Sequence, residues 1–476
     1  MYDVVVIGGG VIGGMVLREL TKYSIDACLL EKESDVAMGS SKANSGIVHA
    51  GFDAKVGSLK AKFNVLGNLM MESVTSELNV KYKNNGSLVV AFSDDDVKML
   101  EELKLRGEQN GVTGLEIISK EELKKLEPNV SDNAICALFA KTGGIVCPYE
   151  LTIASIGNAM DNGADLKVSF DVSKIDKEGD VFVITSKKGE TVKAKIVINC
   201  AGFGSQKIAN LIGDESFNIG ARKGEYILLD REAGDFVSHT LFFTPTAKGK
   251  GILCSNTVDG NILLGPTADE QFDEDTATSN PGLSFVQQKA KEMCNGVPFD
   301  KTITSFAGVR AYCDRHDFVI EKSLKDDNFI NCAGIESPGL TSAPAIAKYV
   351  VEELVSTLLP LKKNENFNGY RKADCFFKEM SLEEKNELIK KDPSFGKIVC
   401  RCEQVTEGEI LHAIRTNPKA NDIDGVKRRT RSGMGRCQGG FCQPYVLELI
   451  AKEKGIDVTE VTKKGDGSYL LTGVTK

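Results

Sequence analysis

Four cysteines near the end of the chain are spaced to hold a soft metal centre. Cys400 and Cys402 form a C-x-C pair, and after 34 further residues Cys437 and Cys442 form a C-x4-C pair. Clustered thiolates bind either zinc or an iron–sulfur centre. Zinc sites favour C-x2-C to C-x4-C knuckles at both ends, and glycines beside Cys437 offer N–H groups to cluster sulfur. The spacing favours 2Fe-2S over the alternatives, zinc and free thiols.

A glycine pattern at the start of the chain is typical of dinucleotide binding. The run from Gly8 to Gly13 reads G-x-G-x-x-G and lies between an apolar run and a helical pattern. Such glycines permit a tight turn and let a pyrophosphate approach the backbone N–H groups of the helix. Glu31 follows 18 residues past Gly13, where an acidic side chain would accept the ribose hydroxyls. The alternative is a plain glycine-rich turn. The predicted contacts here are Gly8, Gly10, Gly13, Glu31 and Lys32.

Later turns indicate which dinucleotide is bound. Small hydroxyl residues fill the segment 39–46, where a flavoprotein encloses the ADP-ribityl and isoalloxazine parts, although an ordinary surface loop is the alternative. Two Asn-Cys-Ala-Gly turns, at 199–202 and 331–334, each follow a predicted strand. These turns imply FAD held along its whole length. The predicted contacts are Ser40, Ser41, Asn44, Ser45, Gly46, Ala201, Gly202, Gly334, Gly339, Leu340 and Thr341.

The elements that position these residues begin with a βαβ unit. Residues 2–7 and 27–31 are predicted strands, and residues 11–22 are a predicted helix. Alternating apolar residues in 168–198 predict an antiparallel meander, Ser119 to Glu122 is a capping box, and a later helix is expected over 344–359. The fold class is therefore α/β and α+β: a Rossmann-like domain with an interleaved antiparallel-sheet substrate domain, plus a small helical C-terminal module.

Composition excludes several classes of protein. The 476 residues carry a net charge of -8, which argues against nucleic acid as the main partner and favours a small substrate. No stretch is apolar and long enough to span a bilayer, so any membrane link is expected to go through a partner. Thirteen cysteines, an odd number, without a signal peptide, argue against a secreted disulfide scaffold and predict a cytoplasmic protein.

The character of the chain changes after residue 360. Residues 361–391 are highly charged and are predicted to be a helical linker. Between Lys397 and Cys442, nine basic residues face five acidic ones, although the whole chain is acidic. This asymmetry indicates a separate module. The basic run 427–431 is expected to neutralise the cluster or to dock an acidic electron partner, and an RNA-binding patch is the alternative.

Residues 1–360 resemble the D-amino-acid-oxidase-like FAD flavoproteins. The likeness rests on the glycine fingerprint, Gly39-Ser40-Ser41 with His49-Ala50-Gly51, Leu126-Glu127-Pro128, residues 144–148, Cys200-Ala201-Gly202 and Gly308-Val309-Arg310. The last motif, with Ala311, Cys313 and Asp314, is similar to the glycerol-3-phosphate dehydrogenases, in which its arginine binds the substrate anion. Residues 44–51, 57–61 and Gly224-Glu225-Tyr226 look closer to the L-2-hydroxyglutarate dehydrogenases.

The C-terminal module resembles the bacterioferritin-associated-ferredoxin-like 2Fe-2S domains, through Val405 to Ile410 and Lys427 to Arg436. Its fusion to a flavin domain is a mark of the anaerobic glycerol-3-phosphate dehydrogenases. The resemblance implies FAD-binding parts at about 1–80, 150–215 and 305–360, and substrate-domain parts at about 81–149 and 216–304. A charged linker (361–395), the cluster module (396–450) with ligands Cys400, Cys402, Cys437 and Cys442, and a tail (451–476) follow.

These resemblances imply an enzyme that oxidises sn-glycerol 3-phosphate to dihydroxyacetone phosphate. Electrons would leave through the 2Fe-2S centre to an electron-accepting flavoprotein, an iron–sulfur subunit or a quinone-linked carrier. The first alternative is a dehydrogenase of L-2-hydroxyglutarate or another 2-hydroxy acid. The second is an electron-transfer subunit of an amino-acid or opine oxidoreductase complex.

Few residues are candidates for the chemistry itself. The chain has four histidines; His49, in the region of the predicted flavin segment 39–46, is the first candidate base, and His316 the second. His49 could instead only pack against the flavin. Arg310 is assigned to the substrate anion by resemblance, and Arg222 and Lys223 are further candidate cations, although both could be surface charges. The nine other cysteines, Cys375 among them, are expected to be small core residues.

Overall fold

A computed structural model of the chain describes residues 1–245, 251–371 and 376–473. Cys375 lies outside these residues. The α-helices of the described part are α1 (Val11–Thr21), α2 (Leu59–Leu78), α3 (Asp94–Gln109), α4 (Lys120–Leu126), α5 (Pro148–Asp161), α6 (Ser205–Asn210), α7 (Asn280–Met293), α8 (Gly339–Tyr349), α9 (Leu382–Lys391), α10 (Glu407–Arg415), α11 (Ile423–Thr430) and α12 (Gln443–Lys454).

The strands of the same residues form two large sheets and two small ones. They are β1 (Tyr2–Ile7), β2 (Ala27–Leu30), β3 (Ile47–Val48), β4 (Tyr82–Lys83), β5 (Ser87–Ala91), β6 (Leu115–Ser119), β7 (Cys136–Ala140), β8 (Gly144–Val146), β9 (Asp165–Lys167), β10 (Val172–Glu178), β11 (Val181–Ser186), β12 (Thr191–Asn199), β13 (Ile219–Leu229), β14 (Thr240–Phe243), β15 (Leu253–Asn256), β16 (Ile262–Gly265), β17 (Asp269–Gln271), β18 (Thr302–Cys313), β19 (Val319–Lys322), β20 (Phe329–Ala333), β21 (Ile398–Cys400) and β22 (Val405–Thr406).

The first sheet has β1 near its centre. Strand β1 is fully apolar and buried from Val4 to Ile7, as a strand covered on both faces must be. It pairs in parallel with β2 and β12, and β20 pairs in parallel with β12. Because parallel strands end at the same edge, the turns that follow β1, β12 and β20 meet there. The predicted meander is present as β10, β11 and β12.

Helices α1, α2, α5 and α8 form the layer over one face of this sheet. Close approach of α2 and α8 depends on Gly67, where a Cβ atom would lie 2.0 Å from the Thr341 carbonyl oxygen. Helix α8 begins at Gly339, five residues before the predicted start at Pro344. The residues Gly339 to Thr341 therefore belong to its first turn rather than to a preceding loop, which places the backbone N–H groups of the helix beside the flavin loop.

The second sheet is largely antiparallel and follows the order β17-β13-β16-β15-β14-β5-β7-β6, with β18 along the other side of β13. Its two apolar cores lie on opposite faces, one against α3 and the other against α7. The long pairing of β13 with β18 fixes the register of the substrate-side residues, since Arg222 lies opposite Arg310 and Gly224 opposite Gly308. The predicted capping box at Ser119 is present at the start of α4.

The C-terminal module contains the hairpin of β21 and β22, helices α10, α11 and α12, and its own apolar core. The preceding segment is less helical than predicted. A helix covers Leu382–Lys391, whereas residues 361–371 lie along the flavin domain without helix. Arg371 is the last residue of this extended stretch. Its guanidinium is buried and donates to the carbonyl groups of Ile153 and Asn417, so it joins α5 to the module. Among the described helices, none combines the length and apolar character needed to cross a membrane.

Candidate functional site

The glycine turn after β1 is shaped by contacts between backbone atoms. Gly8 has φ +113°, and a Cβ there would lie 2.4 Å from the carbonyl oxygen of Cys200. A Cβ at Gly13 would lie 2.0 Å from the Gly8 carbonyl oxygen. Helix α1 has no side-chain cap and no acidic residue in its first turn. The open N–H groups at this helix end fit the pyrophosphate of a dinucleotide.

Glu31 is buried and holds this turn from the side. Its carboxylate accepts hydrogen bonds from the N–H of Gly9 (2.6 Å) and of Glu33 (2.9 Å). Burial raises the pKa of Glu31, although these two N–H groups lower it in part. Its place at the end of β2 remains the one predicted for a ribose contact. Lys32, in contrast, is half-exposed and pairs with Glu274 on the substrate side (3.0 Å).

The segment 39–46, here called the flavin loop, packs tightly on the strand that carries Arg310. Ser40 donates to the carbonyl of Val309, and a Cβ at Gly308 would lie only 1.8 Å from the Ala43 carbonyl oxygen. Asn44 hydrogen-bonds within the loop, to Ser40 and Gly46, so it shapes the loop. Ser41 accepts from the N–H of Val11 at the start of α1 (2.9 Å).

The two Asn-Cys-Ala-Gly turns lie side by side at the same edge. Asn199 donates to the side-chain oxygen of Asn331, and both are fully buried. Gly202 and Gly334 adopt positive φ values of +57° and +62°, which turn the chain away from the sheet. The three turns thus form a continuous cradle along the strand ends, and the predicted contacts Ala201, Gly202 and Gly334 belong to it.

His49 lies between the flavin loop and α8. Its N–H donates to Thr341 Oγ1 (2.9 Å), and its carbonyl accepts from Asn64 and Asn68. The imidazole Nε2 is 3.4 Å from Ser337 Oγ, and the ring lies 6.0 Å from that of Phe242. The backbone is therefore held at several points, which fixes the position of the imidazole.

Arg310 extends from β18 towards Gly224 and Tyr226 on the neighbouring strand. A Cβ at Gly224 would lie 3.1 Å from the Arg310 Nη2, so the glycine makes room for the guanidinium. The Tyr226 hydroxyl lies close to the Arg310 guanidinium and to Ser45 of the flavin loop, and its ring stacks on Phe306 at 4.8 Å. Burial raises the pKa of Tyr226, and the positive charge of Arg310 opposes the shift.

Tyr226 was not among the predicted site residues. The sequence signal for it is alternation along β13, which places residues 222, 224 and 226 on the face that carries Arg310. The same alternation separates Lys223 from Arg310. Lys223 points to the opposite face and is engaged by Asp275 (3.5 Å) and the Ala277 carbonyl (3.1 Å).

Two other predicted substrate contacts differ in position. Arg222 shares the face of Arg310, packs over the ring of Tyr312 (4.9 Å) and pairs with Glu270 (3.6 Å). His316 is exposed in the turn after β18, with φ +59°. His239 hydrogen-bonds to the buried carboxylate of Glu127 (2.7 Å).

The four clustered cysteines come together as two pairs. Cys402 Sγ and Cys437 Sγ are 3.6 Å apart, and the thiols of Cys400 and Cys442 share a hydrogen bond. That bond and the N–H of Gly433 lower the pKa of Cys400 to about 6, against the effect of burial. Burial raises the pKa of Cys437, but hydrogen bonds from the N–H groups of Phe441 and Gly439 act in the opposite direction. The pKa of Cys437 is lowered overall. Convergent thiols that accept amide N–H bonds are the donor set of an iron–sulfur cluster.

The basic run does not face outward. Arg431 is buried and bonds to Asp259 (2.6 Å) and Asn261 (3.0 Å) of the substrate side and to Glu403 beside the cluster (3.0 Å). Arg428 and Arg429 both contact the buried Asp35. For Arg428, Arg429 and Arg431 the expected docking of an acidic partner is wrong, because their charges are used inside the protein. Neutralisation of the cluster stays a prediction, and Lys427 of the same run lies within electrostatic reach of Cys442.

One short segment contacts both the flavin loop and the module that carries the four cysteines. A Cβ at Gly46 in the flavin loop would lie 2.5 Å from the Val146 carbonyl oxygen. Three residues after Val146, the Tyr149 hydroxyl contacts Met434 Sδ (3.5 Å) and Arg431 (3.4 Å). Both of these residues lie in the sequence between the two cysteine pairs. Residues 146–149 therefore connect the flavin loop to the part of the chain between the two cysteine pairs.

Comparison with known proteins gives matches for both parts of the chain. Residues 3–353 match the family "FAD dependent oxidoreductase", and residues 398–452 match the "BFD-like [2Fe-2S] binding domain". A glycerol 3-phosphate dehydrogenase of Caloramator mitchellensis is 49% identical over 100% of this chain and 99% of that protein. The L-2-hydroxyglutarate dehydrogenase of Escherichia coli K12 is 31% identical, over 56% of this chain and 64% of that protein.

A solved structure adds the fold and the cofactor of a relative. L-alpha-glycerophosphate oxidase from Mycoplasma pneumoniae, with FAD bound, has a TM-score of 0.74 and 30% identity. The alignment covers 78% of this chain and 98% of that one.

Replacing Cys437 with alanine tests the cluster ligands. We expect the purified variant to lose most of its iron and acid-labile sulfide, because one of four thiolates is gone, while it keeps its flavin. Iron and sulfide analysis beside a flavin absorbance spectrum measures this. Cys136→Ala, a buried cysteine of β7, is the matched control and should keep both centres. Full iron in Cys437→Ala would contradict the assignment.

Proposed function

This chain belongs to the FAD dependent oxidoreductase family and ends in a BFD-like [2Fe-2S] binding domain, and from this premise we propose that it oxidises sn-glycerol 3-phosphate to dihydroxyacetone phosphate. The observation that carries the proposal is the extent of the likeness. The glycerol 3-phosphate dehydrogenase relative matches the whole chain, cluster module included, whereas the L-2-hydroxyglutarate dehydrogenases of Escherichia coli K12 and Pongo abelii match 56% and 74% of it. Both proposed reactions oxidise a secondary alcohol.

The proposed anion contact is Arg310. Its guanidinium is half-buried beside the Tyr226 hydroxyl, and a charge-assisted bond to phosphate is strong. Arg222, on the same face, is the second candidate for the anion, although Glu270 already balances part of its charge. We leave Lys223 out of the proposed site because it points to the other face of the sheet.

The proposed base is His49. Oxidation at C2 removes a hydride equivalent from carbon and a proton from the hydroxyl oxygen. An unprotonated ring nitrogen of His49 takes that proton, and Ser337, whose Oγ lies 3.4 Å from Nε2, orients the ring. FAD, when bound, would supply an acceptor that takes two electrons and releases them singly, and a 2Fe-2S centre would carry them one at a time. Tyr226 and Ser45 lie beside Arg310, so the anion contact and the flavin loop are positioned together.

Electrons are proposed to leave at the exposed side of the cluster. Cys400 and Cys442 are buried, whereas Cys402 and Cys437 are partly exposed, and Phe441 beside them is 86% exposed. A cavity of about 400 Å³, lined by Arg231, Arg436 and Cys402 among others, opens next to this side. An electron-accepting flavoprotein or iron–sulfur subunit is the proposed partner, through which any membrane link would run. The cytoplasmic location stays a prediction.

Anaerobic mixing of the purified protein with candidate substrates tests the reaction. We expect sn-glycerol 3-phosphate to bleach the flavin absorbance within the time of one catalytic turnover. L-2-hydroxyglutarate at equal concentration should leave the absorbance unchanged. Bleaching by L-2-hydroxyglutarate alone would replace the proposed substrate. Bleaching by neither compound, with dithionite still reducing the flavin, would favour an electron-transfer subunit.

Arg310→Ala is expected to weaken substrate binding. Loss of a half-buried charge partner of the phosphate should raise the Kd for sn-glycerol 3-phosphate about 100-fold, or ~3 kcal/mol. A titration of the flavin spectrum with substrate under anaerobic conditions measures it. Arg315→Ala, which removes a surface arginine paired with Glu321, should bind normally. Normal affinity in Arg310→Ala would refute the anion assignment.

His49→Gln separates proton transfer from binding. The rate of flavin bleaching should fall by about 10² to 10⁴, since a positioned base contributes that much, while the Kd for substrate changes little. Stopped-flow spectroscopy gives both quantities. His316→Asn, in a turn that tolerates asparagine, should keep the full rate. Slow bleaching in His316→Asn with normal bleaching in His49→Gln would reverse the two roles.

A further inference from the structure

Asp35 is a buried carboxylate in the flavin domain whose partners belong to the cluster module. It is 2% exposed and lies in the segment 32–38 that follows β2. Arg429 approaches both carboxylate oxygens at 2.8 Å, and Arg428 bonds to one of them at 2.5 Å. Burial alone would raise the pKa of Asp35, but the two guanidinium groups lower it to about 2. The carboxylate is therefore ionised and fully paired at neutral pH.

Arg429 is itself fixed by its own module. Its Nε donates to the Pro418 carbonyl and its Nη1 to the Gly425 carbonyl, each at 2.9 Å. A second contact supports the first, because Ser34 donates to Asp422 (2.9 Å) at the start of α11. The segment 32–38 is thus held from outside by a rigid surface of the module.

On its inner side, the same segment lies on the glycine turn. Asp35 Oδ1 accepts from the N–H of Val36 (2.8 Å), and Ala37 donates its N–H to the Gly9 carbonyl (2.9 Å). Ala37 adopts φ +58°, a left-handed conformation that costs free energy for alanine and persists where surrounding contacts enforce it. Gly9 in turn donates to Glu31 (2.6 Å). A continuous chain of bonds therefore runs from Arg429 to the turn that faces the dinucleotide.

We propose that Arg428 and Arg429 of the cluster module are positioning residues for FAD, acting through Asp35 to hold the segment 32–38 against the glycine turn. The inference rests on the proposed placement of the dinucleotide at that turn. Its consequence is that the affinity for FAD depends on a module outside the residues that match the FAD dependent oxidoreductase family. Because such coupling is reciprocal, bound FAD also stabilises the docked module.

The test is a titration of the full-length, flavin-free protein with FAD, followed by flavin fluorescence. We expect Asp35→Asn and Arg429→Gln each to raise the Kd for FAD about 10-fold, within the usual range of coupling between sites. The double variant should be no weaker than the weaker single one, because Asp35→Asn already removes the ion pair that Arg429→Gln breaks. Arg415→Gln breaks an exposed pair with Glu453 inside the module and should leave the Kd within twofold.

Two controls keep the result interpretable. Iron content and the far-UV spectrum show whether the module is still folded. If Arg429→Gln does not fold, Asp35→Asn alone decides, since it leaves the module's own sequence unchanged. A merely structural role would lower the melting temperature without changing the Kd. Unchanged FAD affinity in Asp35→Asn would overturn the proposal, as would strictly additive effects in the double variant. No substrate is present, so failure of the proposed reaction would leave the outcome readable.

Discussion

Buried ion pairs between the two halves of the chain are the constraint on which the rest depends. Arg428 and Arg429 enclose Asp35, and Arg431 links Asp259 to Glu403. These charges have left water, so each is stable only while its partner stays in place, and breaking such a pair costs about 3–5 kcal/mol. The cluster module cannot swing away at low cost. The fold therefore holds the module with the four cysteines against the flavin domain, where residues 146–149 contact both the flavin loop and the chain just before Cys437.

The flavin half was predictable because its signals are local. The glycines at 8, 10 and 13 stand between an apolar strand and a helix. At Gly8 and Gly13 the backbone approaches other backbone atoms so closely that only glycine fits, which is the reason for glycine in such a motif. The spacing of Cys400, Cys402, Cys437 and Cys442 likewise carries its own chemistry. In both cases the function requires residue types at fixed intervals along the chain, and those intervals can be read without knowledge of the fold.

What could not be predicted depends on contacts between residues far apart in sequence. The basic run 427–431 gives no sign that its partners are Asp35 and Asp259, because an exposed and a buried arginine look alike in sequence. Lys223 was predicted as a substrate contact before the register of β13 against β18 fixed its face, and Tyr226 was missed for the same reason. Helix α8 starts early because its first turn replaces the loop expected there.

The central claim is that electrons from the substrate pass from flavin to cluster inside a single chain. The most direct measurement is the rate at which the cluster is reduced after anaerobic mixing with saturating sn-glycerol 3-phosphate, followed by freeze-quench electron paramagnetic resonance at several protein concentrations. A fixed interface predicts a first-order rate that is independent of protein concentration. A rate proportional to protein concentration, or a cluster that stays oxidised while the flavin is reduced, would contradict the account.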